Sequence, residues 1–110
     1  FMISFILFFF KYILNVINML LNKGLIVKGI VKGVGFRFFV LRKAREFSFK
    51  GYVKNLDDGS VEVGAYGEKN NIEKLEKELY KGPPASAVYS VTSFELCSKL
   101  EEMNDFEIQY

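Results

Sequence analysis

Histidine is missing from all 110 residues of this chain, and cysteine occurs once, at Cys97. The first absence removes the Ser-His and Cys-His nucleophilic pairs, the HExxH zinc site and any imidazole acid or base. The second removes an intramolecular disulfide and a Cys-rich metal centre, and points to a reducing, cytoplasmic setting. A strong charge bias is missing too. Fifteen Lys and Arg oppose thirteen Asp and Glu, a formal charge of +2, so nothing in the balance draws the chain to nucleic acid in general. Any chemistry must run on arginine, lysine, asparagine, carboxylates and backbone amides.

What is present begins with an apolar segment, residues 1–21, carrying one charge (Lys11) and two amides (Asn15 and Asn18). Its length suits a membrane span, although a mid-segment lysine costs roughly 2.5–3.5 kcal/mol on insertion scales. It lacks the basic start and small-residue cleavage site of a signal peptide. The chain opens on Phe1, and Met19 offers an alternative start. Residues 1–21 are therefore expected to be an apolar extension, either upstream read-through or a membrane anchor. Residues 22–110 are expected to form one domain of ordinary size. A membrane partner follows only if the extension is real, and a monomer is expected.

Residues 24–32, GLIVKGIVK, have the β-branched, apolar composition of a strand. From Phe36 to Phe47 the apolar residues Phe36, Phe39, Val40, Ala44 and Phe47 recur at spacings of three and four, which predicts an amphipathic helix. Residues 50–56 and 60–66 alternate and are joined by Asp57-Asp58-Gly59, a hairpin signal. Asn70 or Asn71 is placed to cap a second helix with Ile72, Leu75 and Leu79 on one face, and Gly82-Pro83-Pro84 ends it. Residues 87–96 and 106–110 read as further strands. The order β-α-β-β-α-β predicts an α+β fold, the ferredoxin-like split βαβ sandwich. It has an antiparallel sheet, two helices on one face and a short fifth strand. Phe36, Phe38, Phe39, Phe47 and Phe49 are expected mainly to furnish its core.

The loop between the first strand and first helix, VKGVGFR at 31–37, holds Gly33 and Gly35. Glycines there allow successive N–H groups to turn inward as a nest for an anion, at the positive end of the following helix. Arg37 falls in that helix's first turn, where a guanidinium can grip two phosphate oxygens. Taken alone, the same residues also suit a tight turn with a solvated charge.

Two stretches carry a family resemblance. VKGIVKGVGFRFF closely resembles the first signature of the acylphosphatases, in which a strand runs into G-x-V-Q-G-V-x-F-R. GYVKNLDDGSVEVGAYG, at 51–67, resembles their second, G-aromatic-V-K/R-N-x-x-x-G-x-V with a glycine six residues on. The likeness extends over residues 25–110 and departs at Lys32, where the family usually has Gln. The resemblance implies hydrolysis of acyl phosphates to a carboxylate and inorganic phosphate without metal or other cofactor. By position it implies that Arg37 binds the phosphoryl group and Asn55 positions the attacking water. Lys32, Gly33, Val34, Gly35 and Phe36 would form the backbone cradle. Small-molecule acyl phosphate and inorganic phosphate are then the partners, and nucleic acid is not.

The alternative is an RRM-like module binding single-stranded RNA. KGVGFRFF at 32–39 partly matches the RNP1 pattern K-G-F-G-F-V-x-F, and RRM domains share the same element order. Against it, Arg37 stands where an apolar residue is expected, and the stretch lies at a strand–helix junction rather than on the third strand. Asp57 and Asp58 read as turn residues before Gly59 rather than as a catalytic or metal-binding pair.

Overall fold

The computed structural model describes residues 2–110. Phe1, the first residue of the apolar segment, lies outside the described residues, as do the side chains of 14–18. The elements are α1 (Met2–Asn18), β1 (Leu20–Ile30), α2 (Phe36–Glu46), β2 (Lys50–Asn55), β3 (Val61–Glu68), α3 (Lys69–Lys81), β4 (Ala87–Phe94) and β5 (Phe106–Gln109). The strands form one sheet of order β4-β1-β3-β2-β5.

Spacing and register build the core together. The three-and-four spacing buries Phe36, Phe39, Val40 and Ala44 on α2, and Ile72, Leu75 and Leu79 on α3. Beneath them the register aligns Leu25, Val63 and Val53 across β1, β3 and β2, all fully buried. Each such side chain stabilises the fold by roughly 1.5–3 kcal/mol relative to exposure. The next row on the same face is Val27, Val61 and Asn55. Period-two alternation thus turns Asn55 to the helix-covered side, at the end of β2 where the apolar core stops.

Three expectations need correction. β1 begins at Leu20 rather than at residue 24, with Leu20 paired to Glu68 and Leu21 to Gly67, so the sheet reaches into the apolar segment. Neither Asn70 nor Asn71 caps α3, which starts at Lys69 behind Glu68 with no side-chain cap. The chain passes directly from β3 into the helix, and the Lys69 N–H donates to the Met19 carbonyl at 2.7 Å, so backbone replaces the cap. Finally, β5 runs parallel to β2, from Gly51–Phe106 to Lys54–Gln109, which makes the sheet mixed. Alternation within FEIQY carries no information about strand direction. The crossing from β4 to the far edge sets it, fastened by Asn22 Nδ2 donating to the Ser98 carbonyl (2.6 Å) and Lys50 Nζ to that of Glu101 (3.1 Å).

The C-terminus of α2 stores a local strain. Phe49 N–H donates to the Ala44 carbonyl (2.8 Å) and Ser48 N–H to that of Arg45 (3.2 Å), the paired bonds of a Schellman motif. The motif requires a left-handed residue, and Ser48 takes it at φ 60. A side chain in that region costs about 1–2 kcal/mol, of which glycine's extra freedom in the unfolded chain returns about half. Ser48→Gly should therefore stabilise the protein by about 0.5–1 kcal/mol in urea unfolding. A loss of stability would contradict the strain.

Candidate active site

The end of β1 feeds a loop whose backbone is left-handed twice, at Gly33 (φ 75) and Gly35 (φ 76, ψ 21). A Cβ at either position would meet nothing within 4 Å, so the backbone angle, not lack of room, calls for glycine. Gly35 is the N-cap of α2; its carbonyl accepts from the Phe39 N–H at 3.1 Å, but it offers no side-chain cap. The N–H groups of Phe36, Arg37 and Phe38 belong to the helix's first turn and have no carbonyl of their own helix to bond. They are free for an anion at the positive end of the helix dipole.

These residues surround a pocket of about 180 Å³, lined by Val31, Gly33, Gly35, Phe36, Arg37, Phe38 and Asn55. Arg37 and Asn55, expected from different elements, are brought to the same cavity. The Arg37 guanidinium carbon lies 4.9 Å from the centroid of the Tyr110 ring, a cation–π contact that steadies it. Asn55 is held by the β2–β3 ladder and by the turn after it, where the Leu56 N–H donates to the Ser60 carbonyl at 2.8 Å. Gly33, Gly35 and Phe36 line the pocket. Lys32 is exposed and Val34 packs against the core, and neither contributes to the lining.

Asp58 is committed to the turn. One carboxylate oxygen accepts from the Ser60 hydroxyl and from its N–H at 2.9 Å, and these bonds hold the carboxyl below its ordinary range. Phe38, expected in the core, is 60% exposed and stands at the pocket instead. It sits on the helix one position beyond Arg37, pointing away from the buried stripe of Phe36, Phe39 and Val40. That periodicity was the signal for its place. Nothing in the sequence brought Tyr110 to Arg37, because the contact depends on β5 lying beside β2.

A larger cavity, about 430 Å³, opens at the opposite end of the sheet, lined by Leu20, Glu46, Phe47, Lys50, Tyr66 and Glu68 among others. Size alone would choose it. Chemistry does not: two carboxylates face it, and Lys50 already donates to the Glu101 carbonyl. Two carboxylates there disfavour an anion, whereas the smaller pocket is lined by one guanidinium and no carboxylate.

Among the described residues, Tyr52 also has a marked shift. Its hydroxyl donates to Glu62 Oε2 from a nearly buried position on β2, and burial, then that bond, then the glutamate's charge push the phenol well above its usual range. The phenol keeps its proton in the fold to higher pH than in the unfolded chain. This contribution is complete below the unfolded value near pH 10 and fades as pH rises above it. Tyr52→Phe should be less stable than the parent at neutral pH, with the gap narrowing above pH 10 in pH-dependent urea unfolding. A constant gap would contradict the shift.

The RNA alternative does not survive. Within KGVGFRFF, Phe36 is 2% and Phe39 8% exposed, packed in the core where no base can stack. The stretch runs from a loop into α2, off the sheet altogether.

The acylphosphatase family profile matches residues 23–108. An acylphosphatase from Thermotoga petrophila is 46% identical over 84 residues, 76% of this chain and 91% of that protein. One from Pasteurella multocida is 42% identical over 91 residues, 83% of this chain and 100% of that protein. The crystal structure of acylphosphatase from Bacillus subtilis superposes with a TM-score of 0.76 at 40% identity, over 84% of this chain and 100% of that one. With two glycines, an arginine and an asparagine converging on one small pocket, and with the whole sandwich matched, the chain belongs to the acylphosphatase family.

Proposed function

We propose that this protein hydrolyses acyl phosphates, R–CO–O–PO₃²⁻, to a carboxylate and inorganic phosphate, and that it does so without a metal or other cofactor. The observation that carries the reading is that Arg37, from the start of α2, and Asn55, from the end of β2, line the same pocket at an uncapped helix N-terminus. In this reading the phosphoryl group sits on the backbone of Gly33 and of residues 35–37, with two oxygens on the Arg37 guanidinium. Asn55 accepts a hydrogen bond from the attacking water and aims it at phosphorus, adding no negative charge beside an anion.

The water oxygen bonds to phosphorus as the P–O bond to the acyl group breaks, and that electron pair leaves on the carboxylate. The water's proton passes to the phosphate product and solvent. Carboxylate, whose conjugate acid has a pKa near 4, needs no general acid to leave. A loose transition state needs no strong base to deprotonate the water. Charge stabilisation and alignment remain, and an arginine, helix amides and one carboxamide supply both. A chain without histidine can therefore do this chemistry. Every residue named lies on one chain, so a monomer suffices.

The test is steady-state release of phosphate from an aroyl phosphate by the full chain with EDTA present. Turnover undiminished by EDTA and competitively inhibited by inorganic phosphate is expected. Turnover that EDTA abolishes, or none at all, would overturn the reading.

A further inference from the structure

Seven phenylalanines fall between residues 36 and 106, and Phe38 is the one that stands exposed, at 60%. Helical spacing explains the exposure: two residues beyond Phe36 and one before Phe39, its ring points away from the buried stripe of α2. Phe36 and Phe39 pair with each other, ring centroids 5.9 Å apart, and Phe47 pairs with Phe49 at 6.0 Å. Among the described residues no ring pairs with Phe38 in this way. A single exposed ring is ordinary on a protein surface, but this one lines a pocket.

Its place in that pocket decides what it can touch. Val31 and Phe36 are buried members of the lining, Arg37 and Asn55 are half-buried, and Phe38 alone carries an exposed side chain there. It therefore stands at the mouth. The cavity, about 180 Å³, is smaller than the roughly 300–1,000 Å³ of a site that encloses a whole small molecule. With the phosphoryl group held as proposed above, the acyl group extends outward past the Phe38 ring. Charge narrows its nature further. One guanidinium and no carboxylate line the pocket, and the phosphoryl group engages the guanidinium. A second carboxylate would be left against an apolar ring with no cation of the lining to meet it, and a cationic acyl group would face Arg37. An uncharged apolar group instead removes its own surface and the ring's from water.

We infer that Phe38 selects the acyl half of the substrate: its ring stacks on an uncharged apolar acyl group, an aromatic one best, while Arg37 holds the phosphoryl half. This rests on the hydrolytic reading above and deepens it to a substrate class, the apolar acyl phosphates. Phe38 moves neither charge nor proton. Its contact favours those substrates that offer a ring or an apolar chain to cover it.

The experiment compares benzoyl phosphate with acetyl phosphate in the full chain and in its Phe38→Ala variant. The two acyl phosphates differ in intrinsic reactivity, and that difference cancels when the ratio of their kcat/KM values is compared between parent and variant. Phe38→Ala should lower the benzoyl-to-acetyl ratio about tenfold, and Phe38→Tyr, which keeps the ring, should hold it within about twofold. A second arm needs no turnover. By calorimetric titration the parent should bind benzylphosphonate about tenfold more tightly than methylphosphonate, and Phe38→Ala should bind the two alike. Turnover of both acyl phosphates with the ratio unchanged in Phe38→Ala, or equal binding of the two phosphonates by the parent, would overturn this inference and leave the hydrolysis standing. The expected phosphonate preference with no turnover of either acyl phosphate would uphold the Phe38 contact and overturn the hydrolysis instead. Failure of the parent to bind either phosphonate would sink both.

Discussion

Replacing Arg37 with alanine should lower kcat/KM for an acyl phosphate by about 10³–10⁵, the range that a phosphoryl-binding arginine supplies elsewhere. The side chain is asked to do two things. In the proposed reaction it holds the substrate's dianion and meets the charge that spreads over the equatorial oxygens as the acyl oxygen departs. No other cationic side chain lines the pocket, so nothing is placed to take over either task. Inorganic phosphate should accordingly lose most of its inhibition of this variant. Arg37→Lys should recover a minor part of the activity only, because an ammonium keeps the charge but not the two-pronged grip. Steady-state kinetics with a phosphate inhibition series measures all three effects. A variant within tenfold of the parent would remove Arg37 from the mechanism.

Asn55→Ala should behave differently, and the difference separates binding from attack. Its amide is proposed to orient water rather than to hold phosphate, so kcat should fall by about 10²–10³ while the inhibition constant for phosphate stays near that of the parent. Asn55→Asp should do no better than alanine. It restores an acceptor but brings a negative charge against an incoming anion. If Asn55→Ala weakened phosphate binding as much as turnover, the residue would belong to the binding cradle and the source of the aligned water would lie elsewhere.

Much of this was legible in the sequence because it depends on local periodicity. Apolar residues at three-and-four spacing placed α2 and α3, and alternation around Asp57-Asp58-Gly59 placed the β2–β3 hairpin. The pairing of Arg37 with Asn55 was legible only through the two family signatures. As spacing alone, an arginine after GVGF and an asparagine before a turn predict nothing about each other. They meet because register sets Asn55 one row beyond Val53 on the helix-covered face. Features that rest on tertiary pairing stayed hidden. The parallel direction of β5, the Tyr110 ring beside Arg37 and the Met19 carbonyl that starts α3 all come from segments distant in sequence. Phe38 was misread because a phenylalanine count ignores which side of the helix each ring occupies.

The most direct measurement is a titration of the full chain with inorganic phosphate, followed by NMR through the backbone amides. The account predicts saturable shifts concentrated at Gly33, Gly35, Phe36, Arg37 and Phe38, with the Asn55 side-chain amide moving at the same concentrations. Shifts confined to the larger cavity beside Glu46, Tyr66 and Glu68, with the 33–38 amides unmoved, would contradict it.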